Sequence, residues 1–519
     1  MKRRKFLQAS GAAVSLPILL NGMNVSTMAK SSLFSSINND SDRVLVLIQL
    51  NGGNDGLQTL IPLDQYDKLA NVRQNIIVPE NLLLSMTDTI GLHPVMGGIQ
   101  SLHDEGKLAV IQSVGYPNQN RSHFRSTDIW TTGSPAEEFW TTGWLGRYYD
   151  DLYPGFPEGY PNEECPDPFA ITIGNIVSET CQGESANFSL TLTDPFSLSP
   201  LAQGEDSEIP DTPYGEELAF LRTTIAQTNA YSDTVLAAAE GGNNLVTYPD
   251  DNRLAQQLKN VALLISGGLR TKVYVVSIGG FDTHANQVVN GEPTVGEHAD
   301  LLSDVSEAMA IFQADLQALG IEERVVSMTF SEFGRQIRSN DAFGTDHGDA
   351  APLMVFGSCI NPQVFGENPE IPEVVQIQEG VPMQYDFRDV YGSILMDWFE
   401  VEEEKVRSLL HEEFQHIPVI DACDSITNIN SPISLEPLDT INYPNPFRDW
   451  TTIRFTSERA FVRLSIFNSL GSELKVLVNK ELPAGVHEVK FDGSQLAAGN
   501  YYYRLQVGNR HKTKHMLKI

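Results

Sequence analysis

Residues 43–56 read Arg43-Val44-Leu45-Val46-Leu47-Ile48-Gln49-Leu50-Asn51-Gly52-Gly53-Asn54-Asp55-Gly56. From Arg43 to Leu50 the run is nearly all aliphatic, the pattern of a strand buried on both faces of a parallel sheet. It then breaks into glycine, asparagine and aspartate, so a tight turn carrying a carboxylate follows the strand. The glycine spacing is not the G-x-G-x-x-G of a dinucleotide site. Further along, Lys107–Val114, Lys272–Ile278 and Arg324–Phe330 repeat the apolar strand pattern. Between the last two, Leu301, Leu302, Val305, Met309, Phe312, Leu316 and Leu319 recur at helical spacing. Helices are also predicted over Glu217–Glu240 and Asn252–Leu269. Strand, helix and strand in this order predict an α/β body with a largely parallel sheet flanked by helices. Such sheets hold ligands beyond the carboxyl ends of their strands.

Chemistry-bearing residues fall at those ends. Asp55 follows the first strand, and Gly279-Gly280-Phe281-Asp282-Thr283-His284 follows Lys272–Ile278. Ser331-Glu332-Phe333-Gly334-Arg335 and then Gly344-Thr345-Asp346-His347-Gly348-Asp349 follow Arg324–Phe330. Carboxylate with imidazole suits a divalent metal: zinc, manganese, iron or magnesium. Asp55, Asp282, His284, Asp346 and His347 are therefore the candidate ligands, with His298 as an accessory. A further segment, Asn120-Arg121-Ser122-His123-Phe124-Arg125-Ser126-Thr127-Asp128, follows Lys107–Val114 and a turn at Gly115–Asn118. Arg121 and Arg125 are candidates to hold an anion, and Ser122 is a candidate nucleophile. Each has a plainer reading: Asp55 as a turn residue, Asp282 and His284 as a loop hydrogen-bond pair, Ser122 as a helix cap. The arginines would then simply balance local carboxylates.

Composition narrows the function classes. At 519 residues the chain is long enough for two or three domains. Its formal net charge of -32 opposes binding to nucleic acid and to anionic membrane surfaces. No internal stretch reaches the roughly 18 apolar residues of an integral membrane span. The four cysteines, Cys165, Cys181, Cys359 and Cys423, are too scattered for a thiolate metal site, although Cys165 and Cys181 could pair in an oxidising compartment.

Both ends read as addresses. Lys2, Arg3, Arg4 and Lys5 precede a short apolar run through Leu20, and Thr27-Met28-Ala29 offers small residues for cleavage, so residues 1–29 are predicted to be a signal peptide. The Arg3-Arg4-Lys5-Phe6-Leu7 string resembles a twin-arginine signal. Residues 424–441 are polar with spaced prolines, which is linker composition. Beyond them Thr451–Phe455, Phe461–Phe467, Leu474–Val478, His487–Phe491 and Tyr501–Val507 alternate between turn signals, predicting a small all-β sandwich over 442–519. Tyr443-Pro444-Asn445-Pro446-Phe447, Asn468-Ser469-Leu470-Gly471, Ala498-Gly499-Asn500-Tyr501 and the tail Lys514-His515-Met516-Leu517 resemble the type A C-terminal sorting domain of type IX secretion cargo. That resemblance implies passage through the periplasm, with the export and type IX machinery as partners. The mature protein is then secreted or attached at the cell surface, where surface polysaccharide is a further expected partner.

The body, residues 40–420, resembles the DUF1501 family. The resemblance rests on Leu50–Leu57, Gly115-Tyr116-Pro117, Asn120–Phe124, Asp128-Ile129-Trp130, Gly280–His284, Ser331–Arg335 and Gly344–Gly348. The family is placed near alkaline phosphatases and sulfatases, which implies an alkaline-phosphatase-like fold. It also implies a metal-dependent hydrolase of phosphate or sulfate esters, acting on a small anionic ester or a glycan. On that pattern Asp55 matches the early metal aspartate, Asp282 and His284 the middle pair, and Asp346-His347 the late pair. One residue separates the middle pair where the superfamily has three. The competing expectation is a catalytically inactive surface protein that keeps the fold. Polysaccharide binding would instead call for an exposed aromatic platform, for which Trp130, Trp140 and Trp144 are the candidates.

Overall fold

The computed structural model describes residues 42–198, 209–210, 212–421 and most of 440–518, with the paired short strands Ile18–Leu20 and Met23–Val25. The expected leader and linker otherwise lie outside the described residues. The chain divides into two compact units, Met1–Ser425 and Ile426–Ile519.

The first unit is built on a nine-stranded sheet. Its strands are β1 (Val44–Asn51), β2 (Leu108–Gly115), β3 (Ala170–Ile173), β4 (Ser189–Leu192), β5 (Val273–Gly279), β6 (Val325–Phe330), β7 (Ala351–Phe356), β8 (Val364–Phe365) and β9 (Tyr385–Asp386). The order is β8-β2-β7-β6-β1-β5-β3-β4, with β9 also pairing β2. All run parallel except β7, which is antiparallel to both β6 and β2.

Alternation along β1 shows why its reading fixes the architecture. Val44, Val46, Ile48 and Leu50 enter one core with α1 (Gly97–Asp104), α5 (Arg253–Ser266), α6 (Glu297–Leu319) and part of α4 (Pro213–Gly241). Leu45 and Leu47 enter the opposite core with α2 (His123–Thr132), α3 (Trp144–Leu152) and α7 (Phe387–Asp397). Each such side chain contributes about 1.5–3 kcal/mol on burial. A strand with polar alternation could not have sat between two helical layers.

The sheet is stepped where it meets the candidate site. β3 pairs β5 only from Val273 to Val275, whereas β5 continues to Gly279. Beyond that step Gln257 of α5 stands in for a strand neighbour. The Ser277 N–H donates to Gln257 Oε1 at 3.0 Å, and Gln257 Nε2 donates to the Ser277 carbonyl at 2.8 Å. The Ser277 side chain is left exposed on a central strand.

Cys165 and Cys181, which the sequence left open as a pair, are free thiols, and Cys359 is disulfide-bonded. Cys181 is sealed in the core, where burial pushes its thiol up to about 12, while Cys165 sits half-buried in a turn capped by Asn162.

The second unit holds two antiparallel sheets around one core that includes Phe447, Ile453, Phe455, Leu464, Leu505 and Met516. Three strands, Thr440–Tyr443, Trp450–Ser457 and Gly485–Asp492, form one sheet. Four strands, Glu473–Leu482, Ala460–Asn468, Gly499–Val507 and Arg510–Lys518, form the other. The last strand escapes sequence reading because Met516 and Leu517 are its only aliphatic residues.

Replacing Gln257 by Ala should remove the two bonds that end β5, at about 1 kcal/mol each. Amide exchange at Ser277 should quicken, read by hydrogen–deuterium exchange, while the amides of β1 remain protected.

Candidate functional site

Four loops meet at one end of the sheet. Three leave the carboxyl ends of β1, β2 and β5; the fourth joins β6 to β7, whose reversed direction brings its amino end to the same edge. Arg335, in the β6–β7 loop, ties that loop to those after β1 and β5. Its Nε donates to the Gly53 carbonyl at 2.7 Å, and Nη1 donates to the Thr345 carbonyl at 2.9 Å. Nη2 donates to Gly52, to the Phe281 carbonyl at 2.8 Å and to Asp282 Oδ1 at 2.9 Å. The guanidinium is fully buried. Gly52 permits this packing: its φ is +121°, and a Cβ there would lie 2.3 Å from the Asp282 amide nitrogen.

Asp282 is the centre of the arrangement. Its Oδ1 lies 3.0 Å from His347 Nε2, 3.1 Å from His284 Nε2 and 3.3 Å from His123 Nε2. The ligand atoms of His123, Asp282 and His347 all lie within 4.8 Å of one another. His284 Nε2 faces His347 Nε2 at 2.8 Å. Each imidazole is held from behind through Nδ1: His123 by Glu332 Oε1 at 2.7 Å, His284 by Asp346 Oδ1 at 2.9 Å, and His347 by the Arg121 carbonyl at 2.8 Å. Carboxylate and carbonyl oxygens only accept, so Nδ1 carries the proton in each pair. In the neutral ring that leaves an Nε2 lone pair directed inward. Outer oxygens fixing the tautomer of inward imidazoles are the usual support of a metal centre.

The electrostatics agree with the contacts. Burial would raise the Asp282 carboxyl, but the Arg335 hydrogen bond and charge outweigh it and hold the group down to about 2. The Glu332 hydrogen bond raises His123, whereas burial lowers His347. Asp346 is lowered, because its bonds to His284 and Asn340 outweigh its own desolvation.

Of the residues expected from sequence, Asp282, His284 and His347 are brought together. Asp346 stands behind His284, on the Nδ1 side. Asp55 is not in the group. It is 1% exposed, with Oδ2 ion-paired to Arg73 at 2.7 Å and bonded to Gln287 at 2.6 Å. Desolvation would raise its carboxyl, but the Arg73 charge and hydrogen bond hold it below its ordinary value. His298 is also buried away from the group, its Nε2 bonded to Asn54. Burial pushes it down to about 3.

The three residues expected to act on the substrate are placed differently. Arg121 is committed to a bidentate pair with Asp349, at 2.9 and 2.7 Å. Arg125 donates to the carbonyls of Pro135, Ala136 and Glu138 and lies over the Phe139 ring. Ser122 is the exposed N-cap residue of α2, and among the described residues no hydrogen bond joins its hydroxyl to the histidines. Sequence reading missed His123, Glu332 and Arg73. The first two lie inside the stretches Asn120–Phe124 and Ser331–Arg335, whose neighbouring side chains drew the reading instead. Trp130 and Trp144 are buried and Arg147 stacks on Trp140, so the three tryptophans form no platform.

A cleft of about 610 Å³ opens from this centre. His123, Asp282 and Glu332 line one end, and Thr127, Asp128 and Thr131 of α2 line one wall. Ile176 and Glu179, from the loop after β3, also line it, while Gln49, Ser277 and Thr172 come from three adjacent strands.

The geometry places a histidine–aspartate centre at the strand ends of an α/β sheet. The chain belongs to the family described as a protein of unknown function, DUF1501, which matches residues 42–384. Residues 442–518 match the secretion system C-terminal sorting domain, marking the protein for secretion or display at the cell surface. No helix among the described residues is long and apolar enough to cross a membrane. No curated protein matches the chain. Among solved structures, PorZ, a surface component of the type IX secretion system of Porphyromonas gingivalis, is 19% identical, with a TM-score of 0.12. That match covers 15% of this chain and spans 11% of PorZ. A Vibrio parahaemolyticus protein in the alkaline phosphatase superfamily is 10% identical over 98% of this chain and 91% of its own, with a TM-score of 0.31. The phosphonate monoester hydrolase of Silicibacter pomeroyi is 9% identical over 91% and 88%, with a TM-score of 0.32. Likenesses at these scores carry no chemistry across to this chain.

Arg335→Lys should keep the charge and lose the fork that ties three loops together. We expect a destabilisation of about 3–5 kcal/mol, the range for breaking a buried charged network. It should appear as a lower urea midpoint with an unchanged slope.

Proposed function

We propose that this protein is an exported metal-dependent hydrolase of phosphate or sulfate esters, with its centre at His123, Asp282, His284 and His347. One observation carries the reading: three imidazoles direct Nε2 at a single carboxylate oxygen while each Nδ1 is fixed by an outer oxygen. Three nitrogens and one oxygen form a borderline donor set that favours zinc, manganese or iron over magnesium. A divalent ion bound there supplies a Lewis acid that stabilises charge developing on an ester oxygen.

The chain's own residues have separable tasks in this reading. Arg335 keeps Asp282 ionised and in place. Glu332, which also accepts from the Gly52 N–H at 2.9 Å, holds the His123 ring at its working angle. Asp346 does the same for His284. The cleft receives the organic part of the ester. Water is the nucleophile, since the Ser122 hydroxyl has no bond to the centre. Arg121 and Arg125 serve as structural ties, so anion charge is met at the histidine centre. That last point also favours a second reading, a surface protein whose ion is held without turnover.

The test is metal content of the purified full chain by elemental analysis, together with hydrolysis of 4-nitrophenyl phosphate and sulfate. One ion per chain and measurable turnover are expected, with both falling at least tenfold in Asp282→Asn and His347→Ala. Metal without turnover on either ester would favour the second reading. A folded wild-type chain that takes up no metal would sink both.

Glu332→Gln should weaken metal affinity by about 10–100-fold, the usual effect of losing an outer carboxylate. Competition with a chromogenic chelator measures it.

A further inference from the structure

The charge of the cleft is at odds with a polyanionic substrate. Its ionisable lining is His123, Asp128, Glu179, Asp282 and Glu332, with no lysine or arginine among the lining residues. The nearest cation to Asp128 is Arg125, 3.9 Å away and tied to three carbonyls. Glu179 has a long contact, 3.4 Å, from the Thr131 hydroxyl. Burial and the neighbouring Asp128 charge push its carboxyl up, so the two carboxylates stand close enough to repel.

Apolar surface accompanies the charge. Phe124 is 87% exposed and Ile176 is 82% exposed, and both line the same cleft. Phe124 follows His123 at the start of α2, and Asp128 lies one helical turn further along the same side. Ile176 and Glu179 repeat the pairing of apolar and acidic groups on the loop after β3. An aromatic face with two carboxylates attracts an organic cation, through the ring quadrupole and through direct charge. The floor of Gln49, Ser277 and Thr172 adds neutral hydrogen-bonding groups.

We propose that this cleft recognises an ammonium-bearing organic group, with Asp128 and Glu179 setting the preference and Phe124 covering the cation. As a statement about substrate it rests on the hydrolase reading: the ester is one whose alcohol carries an amine, not a sulfated polysaccharide. The reacting group then lies at the histidine centre and the ammonium lies along the cleft.

Binding can be tested without turnover, so failure of the hydrolase reading leaves this proposal separately testable. The probes are free choline and its uncharged isostere 3,3-dimethylbutan-1-ol, titrated calorimetrically into the full chain. Choline is expected to bind at least tenfold more tightly than the alcohol. Asp128→Asn/Glu179→Gln should remove that difference while leaving metal content unchanged, and Phe124→Ala should weaken choline more than the alcohol. Equal affinity for the two probes, no binding of choline, or a double variant that still prefers choline would each overturn the proposal. If the chain hydrolyses esters, tenfold faster release of phosphate from phosphocholine than from 3,3-dimethylbutyl phosphate is expected. The reverse order would overturn the substrate assignment alone.

Discussion

One guanidinium holds the candidate site together. Arg335 is buried, and its five donor contacts go to the loops after β1 and β5 and to the far side of its own loop, the one joining β6 to β7. Four of those contacts are to carbonyls and only one is to a carboxylate. Its charge is thus spread over backbone dipoles, and the one carboxylate oxygen it meets, Asp282 Oδ1, is the oxygen the histidines face. A lysine ammonium has neither the reach nor the fork for this arrangement. Asp282, His284 and His347 take their positions from loops that this one side chain spans, whereas His123 comes in on α2.

The framework was legible because it is periodic. β1, β2, β5 and β6 are aliphatic runs, α4, α5 and α6 have helical spacing, and the glycine-rich turns mark strand ends. Strand direction was not legible. Ala351–Phe356 carries no sign that it runs against its neighbours, yet that reversal is why His347, which precedes a strand, shares an edge with Asp282, which follows one. The site residues divide the same way. Asp282, His284 and His347 were legible from residue type at strand ends. Asp55 has the same type and position, but its partner Arg73 is placed by tertiary packing that no local pattern records.

Outer and inner groups proved hardest to separate by sequence. Asp346 and Glu332 are carboxylates in motif-like stretches, as Asp282 is, and only geometry shows that they grip Nδ1 atoms from behind. His123 directly follows two residues, Arg121 and Ser122, whose chemistry is the more familiar one for ester hydrolysis. The structure ties the arginine to Asp349 and leaves the serine without a bond to the centre. Residue type names the candidates, and the direction of a lone pair chooses among them.

The reach of these contacts along the chain bears on how the site forms. Gly52 bonds to Glu332 across 280 positions, Arg335 to Gly52 across 283, Arg121 to Asp349 across 228 and His123 to Glu332 across 209. Contacts this distant are late events, because the loops they close must be ordered before they return any stability. No fragment ending before His347 contains all the groups that converge on Asp282. The centre therefore assembles only when most of the first unit has folded, and on the hydrolase reading ion capture would report that folding.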